Sequence, residues 1–154
     1  MIMVLFGPPG CGKGTQAGII AKDIEIPHLS TGDMLRDAVK SKTETGLKAA
    51  SIMEEGKLVS DEIVINIIKD RICNSDCKNG FILDGFPRTV SQAKELDVML
   101  TTENMKVDLV VDFSVNDEVL ISRIEGRFSC GDCGVGYNDH TKLPTKEGIC
   151  DECG

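Results

Sequence analysis

The sequence has few aromatic side chains and no long apolar run. Its 154 residues include no tryptophan, one tyrosine and five phenylalanines, so aromatic residues make up 4% of the chain. Modules that read single-stranded nucleic acid stack bases on aromatic rings, and this composition counts against that class. No window approaches the roughly 18 uninterrupted apolar residues that a membrane-spanning helix needs, and the first residues lack the basic segment of a secretory signal. We therefore expect a cytoplasmic protein that does not contact a membrane.

Positive charge is also scarce. The chain has 17 Lys and Arg residues against 25 Asp and Glu residues, which gives a formal net charge of −8. Nonspecific nucleic-acid binding depends on cations that neutralise phosphates, so this balance opposes a nucleic-acid partner. With 41% hydrophobic and 27% charged residues, the composition is that of an ordinary globular protein. If such an acidic protein binds phosphates, it must concentrate its cations locally.

A glycine-rich segment directly follows the first apolar run. Ile2–Phe6 has the composition of a buried strand, and residues 7–15 continue it as GPPGCGKGT. Glycines let backbone N–H groups converge on phosphate oxygens, the start of a following helix adds partial positive charge, and Lys13 adds a full charge. The hydroxyl of Thr15 comes one place later than in the usual phosphate-binding pattern. The segment predicts that the chain binds a nucleoside triphosphate; the alternative is a glycine loop that only makes a tight turn.

Apolar runs alternate with helical patterns, which predicts an α/β fold with a parallel sheet flanked by helices. The predicted buried strands are Ile2–Phe6, Ile26–Leu29, Phe81–Leu83 and Val107–Phe113. The predicted helices are Lys13–Lys22, Asp33–Lys40, Thr45–Gly56, Asp61–Cys73, Ser91–Leu100 and Asp117–Glu125. Residues 128–154 are rich in Gly, Asp and Cys without a helical period, which indicates a small hairpin lobe.

Asp84 follows the buried run Phe81–Leu83, and Arg88 comes four residues later. Ligands of open parallel sheets bind at the carboxyl ends of the strands. Asp84 is therefore placed to hold a magnesium ion, through water, near phosphates on the glycine loop. A strand-capping aspartate is the alternative.

Two further pairs of residues suit anions. Thr31 and Arg36 open a helix after the second strand, where the alternative is a helix cap and a surface arginine. Arg123 and Arg127 are four residues apart near the end of the last predicted helix, so both can project from one face. Surface cations that stabilise the helix dipole are the alternative there.

Four of the seven cysteines form two C-x-x-C pairs, Cys130 with Cys133 and Cys150 with Cys153, separated by 16 residues. This spacing is typical of a zinc site with four thiolate ligands. Zinc would stabilise a lobe that has too few apolar residues to form a core. Two disulfides or chance are the alternatives, although disulfide scaffolds are typical of short secreted chains. His140 lies between the pairs and is expected to be a solvent-facing loop residue.

Five segments together resemble nucleoside monophosphate kinases, and among them the long bacterial adenylate kinases with a zinc-binding lid. The segments are GPPGCGKGTQ at 7–16, STGDMLR at 30–36, EGKLVSDE at 55–62, NGFILDGFPRT at 79–89 and RIEGRFSC at 123–130. The resemblance covers the whole chain and implies a monomer that transfers the γ-phosphoryl of MgATP reversibly to AMP, giving two ADP. It also implies a core of residues 1–29 and 60–126, an AMP-binding lobe of residues 30–59 and a lid of residues 127–154.

The resemblance further implies the site residues. ATP would be held by Gly10, Cys11, Gly12, Lys13, Gly14, Thr15, Arg123, Arg127, Gly136 and Tyr137. AMP would be held by Thr31, Arg36, Met53, Lys57, Leu58, Val59, Gly85, Phe86, Pro87, Arg88 and Gln92, of which Gln92 would read the adenine. The residues implied in phosphoryl transfer are Lys13, Asp84, Arg88, Arg123 and Arg127. Magnesium would accompany ATP, and zinc would occupy the four cysteines.

The similar kinases continue beyond the second cysteine pair with more arginines, helices and a core strand. This sequence stops at Gly154, so we expect an incomplete lid and reduced turnover. Three alternatives stay open on the sequence alone: a uridylate/cytidylate kinase, a zinc-ribbon module that binds nucleic acid or protein, and a nucleotide-binding fragment without turnover.

Overall fold

A computed structural model describes residues 1–54 and 59–154, without the side chains of residues 53 and 54. These residues form two compact units. The first comprises Met1–Gly7 and Lys13–Phe113, and the second comprises Pro8–Gly12 and Ser114–Gly154.

The described residues form six α-helices, six strands and one short 3₁₀ helix, Ser75–Cys77. The strands are β1 (Ile2–Phe6), β2 (His28–Ser30), β3 (Phe81–Asp84), β4 (Leu109–Asp112), β5 (Arg127–Ser129) and β6 (Gly136–Asn138). The helices are α1 (Lys13–Asp23), α2 (Thr31–Lys40), α3 (Glu44–Glu54), α4 (Asp61–Ile72), α5 (Val90–Thr102) and α6 (Asp117–Glu125). None of the helices in the described ranges is both long enough and apolar enough to span a bilayer.

The first unit is built on a four-stranded parallel sheet in the order β2-β3-β1-β4. This confirms the predicted parallel α/β fold. Along β1, Ile2 and Val4 enter one apolar cluster while Met3 and Leu5 enter another, as the two-residue period of a strand requires. Both clusters bury apolar side chains under helices, so β1 reads as a continuous apolar run in the sequence.

The edge strand β4 differs from its prediction. The run Val107–Phe113 was expected to be a buried strand, but the strand covers only Leu109–Asp112, with Leu109 44% and Val110 54% exposed. An apolar composition predicts burial only if other elements cover the strand. In the described part of the sheet, β4 is an edge strand whose one neighbouring strand is β1. The prediction of a buried strand was therefore wrong for this element.

Helix boundaries shift by one or two residues from their predicted positions, and capping decides several of them. Helix α2 begins at Thr31 because the Ser30 side chain accepts a hydrogen bond from the Asp33 backbone N–H. Helix α5 begins at Val90, where Thr89 caps it through the Gln92 N–H. The predicted stop of α3 at Gly56 lies outside the described residues.

Helix α3 packs closely against α2 through Gly46. A Cβ built on this buried glycine would lie 2.0 Å from the carbonyl oxygen of Ala38. Only hydrogen fits between the two backbones, which fixes how closely these helices approach each other.

The second unit contains the hairpin of β5 and β6, which pair antiparallel, together with α6. Asn138 joins them: its Nδ2 donates to the Arg123 carbonyl at 2.8 Å, and its Oδ1 accepts from the His140 N–H at 2.9 Å. The predicted hairpin is confirmed, and His140 lies in an exposed loop.

Gly46→Ala should lower the free energy of unfolding by about 2 kcal/mol or more, because the new methyl group collides with backbone that cannot rotate away. Gly18→Ala is the matched control, since no atom lies within 4 Å of a Cβ built on Gly18. That change should raise the free energy of unfolding by up to about 1 kcal/mol through helix propensity. Urea unfolding followed by circular dichroism measures both, and equal shifts for the two variants would contradict the packing argument.

Candidate active site and cysteine cluster

The glycine loop between β1 and α1 has the backbone that its sequence predicts. Gly10 and Gly12 have φ angles of 81° and 99°, in the region that other residues rarely adopt. Within this turn the Cys11 N–H donates to the Pro8 carbonyl at 3.3 Å. At its end, α1 starts at Lys13, whose Nζ donates to the Gly7 carbonyl at 2.6 Å. The loop therefore leads directly into a helix N-terminus, which is the arrangement that binds phosphate.

Arg123 lies against this loop within the second unit. Its guanidinium Nη1 donates to the Gly10 carbonyl at 3.3 Å, and a Cβ built on Gly10 would lie 3.1 Å from Ile124. Helix α6 thus places a cation on the loop, and a side chain at position 10 would press on the Ile124 side chain.

Arg127 does not share the face of α6 with Arg123. The helix ends at Glu125 with Gly126 as its C-cap, and Arg127 is the first residue of β5, with its side chain exposed. The prediction that a four-residue spacing on one helix aligns the two arginines was wrong, because the helix stops between them.

Asp84 ends β3 and lies beside the start of α1. A Cβ built on Gly14 would be 3.5 Å from Asp84 Oδ2, and only 14% of the Asp84 side chain is exposed. His28 on the neighbouring strand approaches the same oxygen, with Nε2 3.2 Å from Oδ2. One carboxylate at a strand end next to a phosphate loop fits a magnesium ion that takes its other ligands from water and phosphates. No local sequence pattern predicts this contact, since the pairing of β2 with β3 creates it.

Thr31, Gly85 and Arg88 meet just beyond the end of β3. The Thr31 hydroxyl donates to the Gly85 carbonyl at 3.2 Å, and Arg88 Nε donates to the same carbonyl at 2.7 Å. Gly85 has φ 79°, and a Cβ there would lie 2.9 Å from Thr31 Oγ1 and 3.0 Å from Arg88 Nη2. A hydroxyl and a guanidinium therefore converge on a position that only glycine can occupy. Phe86 and Pro87, joined by a cis peptide bond, follow and are buried.

Arg36 lies one turn into α2 and pairs with Asp33. Partial burial alone would raise the pKa of Asp33, but the hydrogen bonds with Arg36 and Ser30 outweigh it, so the pKa of Asp33 is lowered. The Arg36 side chain is 57% exposed.

Gln92 is nearly closed to water, with 5% of its surface exposed. Its Oε1 accepts from the Arg88 backbone N–H at 2.7 Å, and its Nε2 donates to Asp61 Oδ1 at 2.6 Å. Asp61 and Gln92 are 31 positions apart in the sequence, so no local pattern predicted that Asp61 belongs to this site.

The remaining residues implied in AMP binding are only partly described. Val59 is half-buried. Lys57, Leu58 and the side chain of Met53 lie outside the described residues.

The four paired cysteines form one cluster in the second unit. Their Sγ atoms all lie within 4.8 Å of one another; Cys130 and Cys153 are 3.6 Å apart, and Cys133 and Cys150 are 3.5 Å apart. Four sulfurs about 2.3 Å from a central ion in a tetrahedron would be roughly 3.8 Å apart. The seven cysteines, all within the part of the chain that the structure describes, form no disulfide. The cluster therefore fits a metal ion.

Tyr137 supports the cluster from the adjacent strand. Its Oη donates to Cys150 Sγ at 3.5 Å and accepts the Asp151 N–H at 2.7 Å, and its ring stacks on Phe128. The Tyr137 hydrogen bond, followed by those from backbone N–H groups, lowers the pKa of Cys150 to about 6. Hydrogen bonds from the other cluster thiols raise the pKa of Cys153. A bound cation would replace the protons of the four thiols.

The apolar packing around this cluster is thin. A cavity of about 670 Å³ borders the cluster and is lined in part by Phe128 and Pro144. Leu143 and Ile149 are 64% and 45% exposed. A metal ion would therefore supply cross-links that the lobe does not obtain from a hydrophobic core.

The family model described as "Adenylate kinase" matches residues 5–151 of the chain. The adenylate kinase of Rhizobium etli (strain CFN 42) is 53% identical over 154 residues, which is 100% of this chain and 71% of the relative. That of Magnetococcus marinus is 54% identical over 153 residues, 99% of this chain and 72% of the relative. That of Caldicellulosiruptor bescii is 51% identical over 154 residues, 100% of this chain and 72% of the relative.

The protein purified without chelator should carry one metal ion per chain in the cysteine cluster. Cys133→Ser should lose it, because three thiolates and a hydroxyl bind a soft cation less well than four thiolates. Cys73→Ser is the matched control, since Cys73 is exposed and outside the cluster. Elemental analysis with thiol titration measures both. A metal-free wild-type protein with all thiols titratable would contradict the cluster as a metal site.

Proposed function

The chain belongs to the adenylate kinase family, and on that premise we propose which of its residues perform the family's reaction. The protein is a phosphotransferase that moves the γ-phosphoryl of ATP reversibly to AMP, giving two ADP. The observation that carries the residue assignment is the convergence, at one edge of the parallel sheet, of the start of α1, Asp84, Thr31 and Arg88.

We propose that the glycine loop holds the phosphates of ATP. Backbone N–H groups of residues 10–15 and the N-terminus of α1 would bind the phosphate oxygens, and Lys13 would bridge the β and γ groups. Support comes from the backbone of the loop and from Lys13 Nζ, which lies at the loop rather than in solvent. On the second unit, Arg123 and Arg127, together with Gly136 and Tyr137, are proposed to contact ATP.

Magnesium accompanies ATP in this family, and Asp84 is the residue proposed to hold it through water. When bound, the ion neutralises phosphate charge that develops during transfer. The chain's own task is to keep the Asp84 carboxylate in place, which its contact with His28 and its position beside Gly14 favour.

We propose that AMP binds beside the end of β3, at Thr31, Arg36, Gly85, Phe86, Pro87, Arg88 and Gln92, together with Met53, Lys57, Leu58 and Val59. Arg88 would bind the AMP phosphate. Its guanidinium is held by the Gly85 carbonyl and the Thr31 hydroxyl, and the side chain remains exposed to an incoming ligand. Phosphoryl transfer needs positioning and charge neutralisation rather than a protein nucleophile. Lys13, Arg36, Arg88, Arg123 and Arg127 would supply the positive charge.

The metal proposed for the cysteine cluster is zinc. Four thiolates in a tetrahedron are the donor set that zinc takes in closed structural sites. Its role here would be to hold residues 127–154 as a lid. The other proposed divisions are an AMP-binding lobe of residues 30–59 and a core of residues 1–29 and 60–126. These divisions, the monomeric state and the cytoplasmic location stay predictions.

Lys13→Met should remove phosphoryl transfer and weaken ATP binding while the fold is retained, since the loop backbone is unchanged. Lys22→Met, near the exposed end of the same helix, is the matched control and should turn over normally. A coupled ADP assay and the melting temperature separate chemistry from folding. Near-normal turnover by folded Lys13→Met would exclude the proposed role of the loop lysine.

Arg88→Ala should raise the KM for AMP about ten- to a hundredfold with little change in the KM for ATP, because one charge-assisted phosphate contact is lost. The KM for AMP of Arg88→Lys should lie between those of the wild type and Arg88→Ala, since lysine keeps the charge but not the forked geometry. Steady-state kinetics with AMP, UMP and CMP as acceptors measure the effect and the base preference together. An equal rise in the KM for AMP and the KM for ATP would contradict the assignment of Arg88 to the AMP pocket.

A further inference from the structure

The side-chain amide of Gln92 is held at both ends by partners that cannot exchange roles. The Arg88 backbone N–H can only donate, and it meets Oε1 at 2.7 Å. The Asp61 carboxylate can only accept, and it meets Nε2 at 2.6 Å. The two ends of an amide have nearly the same shape, so its partners alone decide which end points where.

A flipped amide would place donor against donor and acceptor against acceptor. Gln92 is 5% exposed, so water could not restore the lost hydrogen bonds. The network therefore selects one orientation of the amide.

Asp61 is itself fixed by a second contact. Its Oδ2 accepts from the Thr89 hydroxyl at 3.0 Å, and the same hydroxyl oxygen accepts the Gln92 N–H at 3.1 Å as the N-cap of α5. The first residue of α4 is thus tied to the first turn of α5. The amide orientation depends on the docking of two helices rather than on one flexible side chain.

The hydrogen bonds with Arg88 and Asp61 use half of the amide's capacity. A primary amide carries two N–H donors and two lone pairs on oxygen, so one donor and one acceptor remain. Such a pair complements the amino group and N1 of adenine, which offer a donor and an acceptor. The same pair does not complement hypoxanthine, whose O6 accepts and whose N1–H donates, because donor would meet donor and acceptor would meet acceptor. A flipped amide would present the reverse pattern.

We propose that Asp61 is a positioning residue that strengthens the base specificity of the AMP pocket because, together with the Arg88 backbone N–H, it disfavours a flipped Gln92 amide. This rests on the proposed function, in which Gln92 reads the adenine. Asp61 does not touch the nucleotide; it acts through Gln92.

Asp61→Asn tests the proposal with almost no change of shape. An asparagine at this position could accept from Nε2 or donate to a flipped Oε1, so position 61 would no longer distinguish the two orientations and only the Arg88 N–H would still favour the present one. The measurement is kcat/KM for AMP and for IMP, at saturating ATP. Asp70→Asn, on an exposed position of the same helix, is the matched control.

The ratio of kcat/KM for AMP to that for IMP should fall about tenfold or more in Asp61→Asn, since sites built on hydrogen bonds discriminate strongly. The ratio should be unchanged in Asp70→Asn, and the KM for ATP should be unchanged in both. If Asp61→Asn lowers the values for AMP and IMP equally, Asp61 has only a structural role and the proposal is overturned. A wild-type protein that does not use AMP would instead refute the proposed function.

Thr89 supplies a second test should Asp61→Asn fail to fold. Thr89→Val removes the hydroxyl that holds Asp61, whereas Thr89→Ser keeps it. Equilibrium binding of AMP and IMP should show reduced discrimination in Thr89→Val and wild-type discrimination in Thr89→Ser. Equal discrimination in the two folded variants would overturn the proposal.

Discussion

The parallel pairing of β1 with β3 is the constraint on which the site in the first unit depends. The register places Leu5 opposite Asp84, and the pairing of β2 with β3 places Ser30 opposite Asp84 as well. Strands that run in the same direction end at the same edge, so segments far apart in sequence meet there. A slip of one residue would turn the side chain of Asp84 to the other face of the sheet.

The polar groups at this edge form a connected and largely buried set. Thr31 and Gln92 are 4% and 5% exposed, yet both are hydrogen-bonded. Buried polar groups that lack partners are costly, so a fully bonded set favours one arrangement of its members. Gly85 allows the arrangement, since a methyl group there would displace Thr31 or Arg88.

The second unit obtains its order in a different way. Its hairpin strands have only three residues each, and large apolar side chains such as Leu143 remain exposed. Asn138 and Tyr137 provide polar links, to α6 and to the second cysteine pair respectively. The four sulfurs are spaced as a bound metal ion would require, so the free energy of metal binding would contribute directly to the folding of this unit.

Short-range patterns in the sequence predicted the glycine loop, the start of α1 and the two cysteine pairs. Each depends on residues within a few positions of one another, where backbone geometry and ligand spacing suffice. The parallel sheet was also predictable, because strands that alternate with helices leave few other topologies.

What only the tertiary structure decided are the contacts between distant segments. The approach of His28 to Asp84 follows from the pairing of two strands, and the link between Asp61 and Gln92 follows from the docking of two helices. The end of α6 before Arg127 depends on the C-cap at Gly126, and the exposure of β4 depends on what covers it. A sequence specifies which groups seek partners, whereas which partner each one finds depends on the whole fold, because buried donors, acceptors and apolar faces are satisfied together.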